Sequence, residues 1–143
     1  MSHTQWDIVR VRVNPADRDE HPAVIISPPE HCADAARPNV NVLYGTTRRP
    51  GREAGAHEVT LNGADGLDHA TLFNCGYFYS VPRLKISGSI GRVAPERRRP
   101  IGRKIVATFR LPLSRPGDWA GSDRQARGCI LGRGENVQPL RKA

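Results

Sequence analysis

Trp6-Asp7-Ile8-Val9-Arg10-Val11-Arg12-Val13 sets Val9, Val11 and Val13 on one side of the chain and Arg10 and Arg12 on the other. A period of two is the mark of a strand with one face in a core and the other in water. Beyond a polar turn, Asn14 to His21, Pro22 opens an apolar run from Ala23 to Ile26 that stops at Ser27-Pro28-Pro29. A short unalternating run between prolines predicts a second strand, buried on both faces.

Outward from these two strands the same spacing continues. Glu30 to Pro38 reads as a polar connection, and Val40, Val42 and Tyr44 alternate in a third strand that runs into Gly45-Thr46-Thr47. Arg48 to Ala56 is an expected exposed, mobile loop. Short strands are predicted over Glu58–Leu61, Ala70–Asn74 and Ile86–Val93, with a turn at Asn62–Gly66 and an irregular aromatic patch, Tyr77-Phe78-Tyr79, closed by Pro82. Pro95 and Glu96 signal a helix start, and Ile101, Ile105, Val106 and Phe109 recur at helical spacing to about Leu111. Pro100 and Gly102 are expected to bend that helix or delay its start. The gaps are too short for helical crossovers, so the fold class is all-β with a small α component. The outline is an SH3-like, strongly curved antiparallel barrel over residues 1–111, with a C-terminal helix and a loosely ordered basic tail over 112–143.

Composition agrees with one such domain. Of 143 residues 38% are apolar, and 12 Pro with 14 Gly favour turns and short elements. The formal charge is +8, and from Arg83 onward 15 basic residues face 4 acidic ones, against 7 and 10 before it. Arginine supplies most of that charge and suits phosphate oxygens, so a polyanion is the expected partner, although a basic chain is also simply a soluble one. Cys32, Cys75 and Cys129 have no CxxC or histidine spacing of the kind zinc needs, so no metal or cofactor is expected and the thiols read as reduced. No export or membrane segment is read, which points to a cytoplasmic protein.

Four stretches, in order across residues 5 to 111, resemble the MazF/PemK/Kid toxin family. Trp6-Asp7-Ile8-Val9 is similar to its opening Gly-Asp-Ile/Leu-Val, and His21-Pro22-Ala23-Val24-Ile25-Ile26-Ser27-Pro28 to its Arg-Pro-Ala-Val-Val-Leu-Ser-Pro. Val42 to Thr47 resembles its third strand, and Ile90-Gly91-Arg92-Val93-Ala94-Pro95-Glu96 its closing motif before the last helix. The resemblance implies a homodimeric barrel that cuts single-stranded RNA without a metal, by attack of a ribose 2′-hydroxyl, and that is neutralised by an acidic antitoxin. It also implies a threonine at the end of the third strand, which Thr46 matches. The arginine expected before Pro-Ala-Val is replaced by His21, and the preceding loop is shorter than the family's.

His21 could trade protons with a ribose hydroxyl, with Arg18 supplying fixed positive charge, or it could be an exposed turn histidine in a dead site. Thr46 either serves the site or bonds its own turn. Arg48, Arg49 and Arg52 suit a phosphate track that sets affinity rather than sequence choice. Tyr44, with Tyr77, Phe78 and Tyr79, either stacks on bases or belongs to the core. Ile101, Ile105 and Phe109 read as the core stripe of the helix, while Arg97, Arg98 and Arg99 oppose its dipole. The alternative function is a non-catalytic MazF/CcdB-like module that grips nucleic acid or a protein target.

Overall fold

Strand β3 (Asn39–Thr47) is the spine of the computed structural model, which describes residues 2–110. The expected basic tail, residues 112–143, lies outside the described residues. One edge of β3 pairs with β2 (His21–Ile25); the remaining partners are β6 (Tyr79–Pro82) along its first half and β5 (Thr71–Asn74) along its second. With β1 (Asp7–Val11), β4 (Glu58–Leu61) and β7 (Ile86–Arg92), the strands run β4-β5-β3-β2-β1-β7, and every pairing is antiparallel. The expected curved antiparallel architecture is therefore present.

Gly45 lets the sheet change partners. A Cβ there would lie 2.8 Å from the Pro22 carbonyl oxygen and 2.7 Å from the Phe73 ring, so only glycine admits β2 and β5 this close to the middle of β3. The outer strands meet through a similar contact: a Cβ on Gly66 would sit 2.8 Å from the Cα of Gly91, which brings the turn after β4 against β7. Gly66 has φ +87, a conformation that glycine adopts without strain.

Two apolar clusters lie on opposite faces of β1, β2 and β3. Ile8, Val24 and Leu43 join Leu61, Phe73, Cys75, Val93 and Ile101 in one, and Val9, Val11, Ala23, Ile25, Val40, Val42 and Val81 form the other. β2 is thus buried on both faces as its composition predicts. At about 1.5–3 kcal/mol for each large aliphatic side chain taken out of water, these clusters are the main favourable term. Trp6 occupies the glycine position of the resembled motif and holds φ +73, in the left-handed region that costs a side-chain-bearing residue roughly 1–2 kcal/mol. Its backbone is held on both sides, with its N–H donating to Ile25 O and its carbonyl accepting from Val93 N.

Several expectations are corrected. The connection after Pro28 contains a one-turn helix, α1 (Pro29–Ala33), which buries Cys32; five residues with one buried side chain give no helical period to read. The C-terminal end of this turn is held by Arg83, whose guanidinium donates to the carbonyls of His31, Cys32, Asp34 and Arg37. The aromatic patch leads into β6, in which Val81 points inward and Ser80 outward; its partner lies far away in sequence. Helix α2 (Pro95–Phe109) starts at Pro95 and runs unbroken through Pro100 and Gly102. Ile101 is buried and Ile105 packs beside it, but Phe109 is 42% exposed and stacks on Phe78, so it is not core.

The arginines at the start of α2 also have structural work. Asp65, fully buried, accepts from Arg97 at 2.9 Å, from Ala94 N at 3.0 Å and from Asn62 N at 3.1 Å, while Arg98 donates to Val93 O. A carboxylate at this helix end offsets the unfavourable placement of the arginines.

Candidate active site

The second apolar cluster opens at one end into polar side chains. Alternation along β2 puts His21 on the face of Ala23 and Ile25, alternation along β3 puts Tyr44 on the face of Val42, and alternation along β6 puts Tyr79 on the face of Val81. The rings meet there. His21 lies 4.8 Å from Tyr44 between centroids, Tyr44 5.5 Å from Tyr79, and Tyr79 6.1 Å from Tyr77.

Asp17, from the connection between β1 and β2, completes the group. Tyr44 donates its hydroxyl to Asp17 Oδ2 at 3.2 Å, and the same oxygen lies 3.8 Å from His21 Nε2, with both side chains 31% exposed. That separation is too long for a hydrogen bond but short enough for charge attraction. Burial and the neighbouring Asp17 carboxylate push the Tyr44 hydroxyl up to about 12, so it remains a neutral donor throughout the physiological range. Neither described cysteine is an available nucleophile. Burial pushes the Cys75 thiol up to about 11 and raises that of Cys32 as well.

The other candidates fall in different places. Thr46 is two residues beyond Tyr44, on the same side of β3, exposed and opposite Leu72 in register. Arg18 is exposed; its carbonyl accepts from Arg12, and among the described residues its side chain has no ionic or hydrogen-bond partner. The fold therefore brings Asp17 rather than Arg18 to His21. Sequence reasoning passed over Asp17, although its place four residues before His21 in a turn was a usable signal. Arg48 and Arg49 are exposed where β3 leaves the sheet, with Arg48 N bonded to Ala70 O. Arg52 is engaged: it meets Glu58 at 2.6 Å, and Glu58 also accepts from Gly55 N, which ties the loop to β4.

Chemically, the group offers a histidine beside a carboxylate and a neutral phenol on an open surface, with the Thr46 hydroxyl and the Arg48 and Arg49 cations farther along β3 and its exit. That is a set for proton transfer next to an anion. Among the described residues no three His, Cys, Asp or Glu side chains are grouped as metal ligands.

No family model matches the chain, and no curated protein matches it at the level of sequence. Solved structures match its shape. A Mycobacterium tuberculosis toxin, MazF-mt6, is 20% identical, with TM-score 0.61 over 74% of this chain and 98% of that one. An endoribonuclease from a mycobacterial species reaches TM-score 0.64 at 16% identity, over 80% and 97%. Another, in complex with its cognate antitoxin, reaches 0.62 at 15% identity, over 79% and 98%. The chain has the fold of the MazF toxins.

Proposed function

We propose that this MazF-fold chain is the toxin of a type II toxin-antitoxin system, an endoribonuclease that cuts single-stranded RNA without a metal. The observation that carries the reading is the Asp17–His21–Tyr44 group on the open face, with Thr46 and the paired cations Arg48 and Arg49 on the same strand and its exit. Neutral His21 takes the proton of a ribose 2′-hydroxyl as that oxygen bonds to phosphorus. The bond from phosphorus to the 5′-oxygen breaks, the leaving oxygen takes a proton from water, the hydroxide left takes the proton held by His21, and a 2′,3′-cyclic phosphate and a 5′-hydroxyl result. Asp17, 3.8 Å from His21 Nε2, steadies by charge attraction the imidazolium that forms as His21 takes the proton. Tyr44, kept protonated, anchors Asp17. Arg48 and Arg49 hold phosphate oxygens, and Thr46 donates to one of them.

The antitoxin in this reading is an acidic segment that competes for the same cations. A solved neighbour is an endoribonuclease in complex with its cognate antitoxin, which supports an antitoxin as partner. The homodimer implied by the resemblance is read by sedimentation equilibrium of the purified chain. Among the described residues no helix is long and apolar enough to cross a membrane.

The decisive experiment incubates the full chain with a long single-stranded RNA in EDTA and maps the ends by primer extension. Cuts at a few defined sites, lost on His21→Ala with Thr46→Ala, are expected. Intact RNA with salt-sensitive binding would replace the enzyme by a nucleic-acid-binding module.

A further inference from the structure

The aromatic series that ends at His21 continues away from it. Tyr77 and Tyr79 stack at 6.1 Å with an interplanar angle of 28°, Tyr79 leans on Tyr44, and Tyr44 leans on His21. Burial falls along this series. Tyr44 and Tyr79 are partly buried against the second apolar cluster, whereas Tyr77 is 64% exposed. β3 and β6 fix the inner part: Val42 pairs with Tyr79 and Asn41 with Ser80, and Asn39 donates to the Ser80 hydroxyl. A core explanation covers Tyr44 and Tyr79 but not Tyr77, whose ring contributes little to the cluster and leaves much of its surface in water. A large exposed aromatic ring at the outer end of an ordered stack is placed for a planar ligand.

We infer that Tyr77, backed by Tyr79, is a stacking platform for one base of the bound RNA, lying to one side of the phosphate that His21 faces. This rests on the ribonuclease reading and adds to it a positioning role for a residue outside the catalytic group. A base laid on Tyr77 prolongs the ring series, and its sugar-phosphate chain then runs along β3 towards Arg48 and Arg49. Every base has a π-face, so the platform tolerates any base and favours purines, which offer the larger surface. Its contribution is not electrostatic and differs in kind from that of the arginines. Neutralising phosphate contacts on a single strand changes the slope of log Kd against log salt by about 0.7 for each contact, whereas losing a stack moves the line without tilting it.

The test uses the full chain and 2′-O-methyl RNA decamers, which lack the attacking hydroxyl, with 2-aminopurine moved along the sequence. Fluorescence quenching at one position is expected on binding. Tyr77→Ala should abolish that quenching, weaken Kd about tenfold at unchanged salt slope and raise KM for cleavable RNA by a similar factor with kcat nearly kept. Tyr77→Phe, which retains the ring, should restore all three. Wild-type affinity, quenching and KM in Tyr77→Ala would overturn the platform while leaving the ribonuclease standing. A wild-type chain that neither binds nor cuts RNA would remove the ribonuclease reading and the platform with it. Should Tyr77→Ala instead lose only a protein partner, with RNA binding intact, the ring belongs to a protein interface and the inference fails.

Discussion

Asp65 with Arg97 and Asp17 with His21 are both carboxylates beside a basic side chain, yet they sit in opposite surroundings. Asp65 is fully buried, and both its oxygens are occupied by Arg97 and by the backbone N–H groups of Asn62 and Ala94. Asp17 is 31% exposed, its carboxylate among the described residues accepts only from the Tyr44 hydroxyl, and it stands 3.8 Å from His21. A saturated buried pair fixes an element in place, here the start of α2 against the turn after β4. An open, under-occupied pair keeps capacity for a ligand and a proton. The contrast teaches that satisfaction of hydrogen bonds, more than residue type, separates scaffold from site.

The comparison is broken most severely at its scaffold end. Asp65→Ala should cost about 3 kcal/mol, the low end for a broken buried pair because Arg97 keeps some contact with water, and the loss should appear as a lower urea midpoint. A change below ~1 kcal/mol would mean that Asp65 does not anchor α2.

Next in size is Gly45→Ala, which drives a methyl group into the Pro22 carbonyl. It should destabilise by ~1–3 kcal/mol and, by displacing the residue after His21, reduce cleavage even where circular dichroism shows a folded chain. Full activity in a folded variant would show that His21 does not depend on that approach.

Asp17→Asn sharpens the site end. Stability should stay within about 0.5 kcal/mol of wild type, as for other partly exposed positions, while cleavage falls roughly tenfold. Tyr44 should then ionise below its present value of about 12 but still above 10, because burial is the larger cause of the rise. Ultraviolet titration of the phenol reads this directly. The sign in stability follows. The folded phenol holds its proton to about 12 and the unfolded one to 10.0, so stability present below pH 10 is lost between those values, and the Asn variant should lose less.

The smallest effect belongs to Arg52→Ala. Arg52 is half exposed, although its partner Glu58 is only 17% exposed, so about 1 kcal/mol or less is expected, with the salt slope of RNA binding unchanged, unlike Arg48→Ala. A slope change for Arg52→Ala would return that residue to the phosphate track.

Most strands were legible because their signal is local. Val9 and Val11 alternate with Arg10, Pro22 and Pro28 mark off the apolar run of β2, and Glu58–Leu61 sits between turn residues. β6 and α1 were not legible, since the consecutive rings Tyr77, Phe78 and Tyr79 do not alternate and α1 is a single turn. At the site, His21, Tyr44 and Thr46 could be singled out one at a time, from residue chemistry and from resemblance to a known motif order. Asp17 was passed over for Arg18: its place four residues before His21 was a signal, but which side chain of the turn Asn14 to His21 folds back over the sheet is decided by tertiary contacts.

The sequence by itself determined the antiparallel all-β class, the second strand that follows His21 and the concentration of positive charge from Arg83 onward. Each of these follows from side-chain period, proline and glycine restrictions or composition, which act over a few residues. Tertiary structure alone decided that Asp17, His21, Tyr44, Tyr79 and Tyr77 form one continuous group and that Arg97 and Arg52 are spent on internal carboxylates. Such meetings depend on strand register and sheet curvature, set by close backbone approaches at Gly45 and between Gly66 and Gly91, and these bring together residues far apart along the chain.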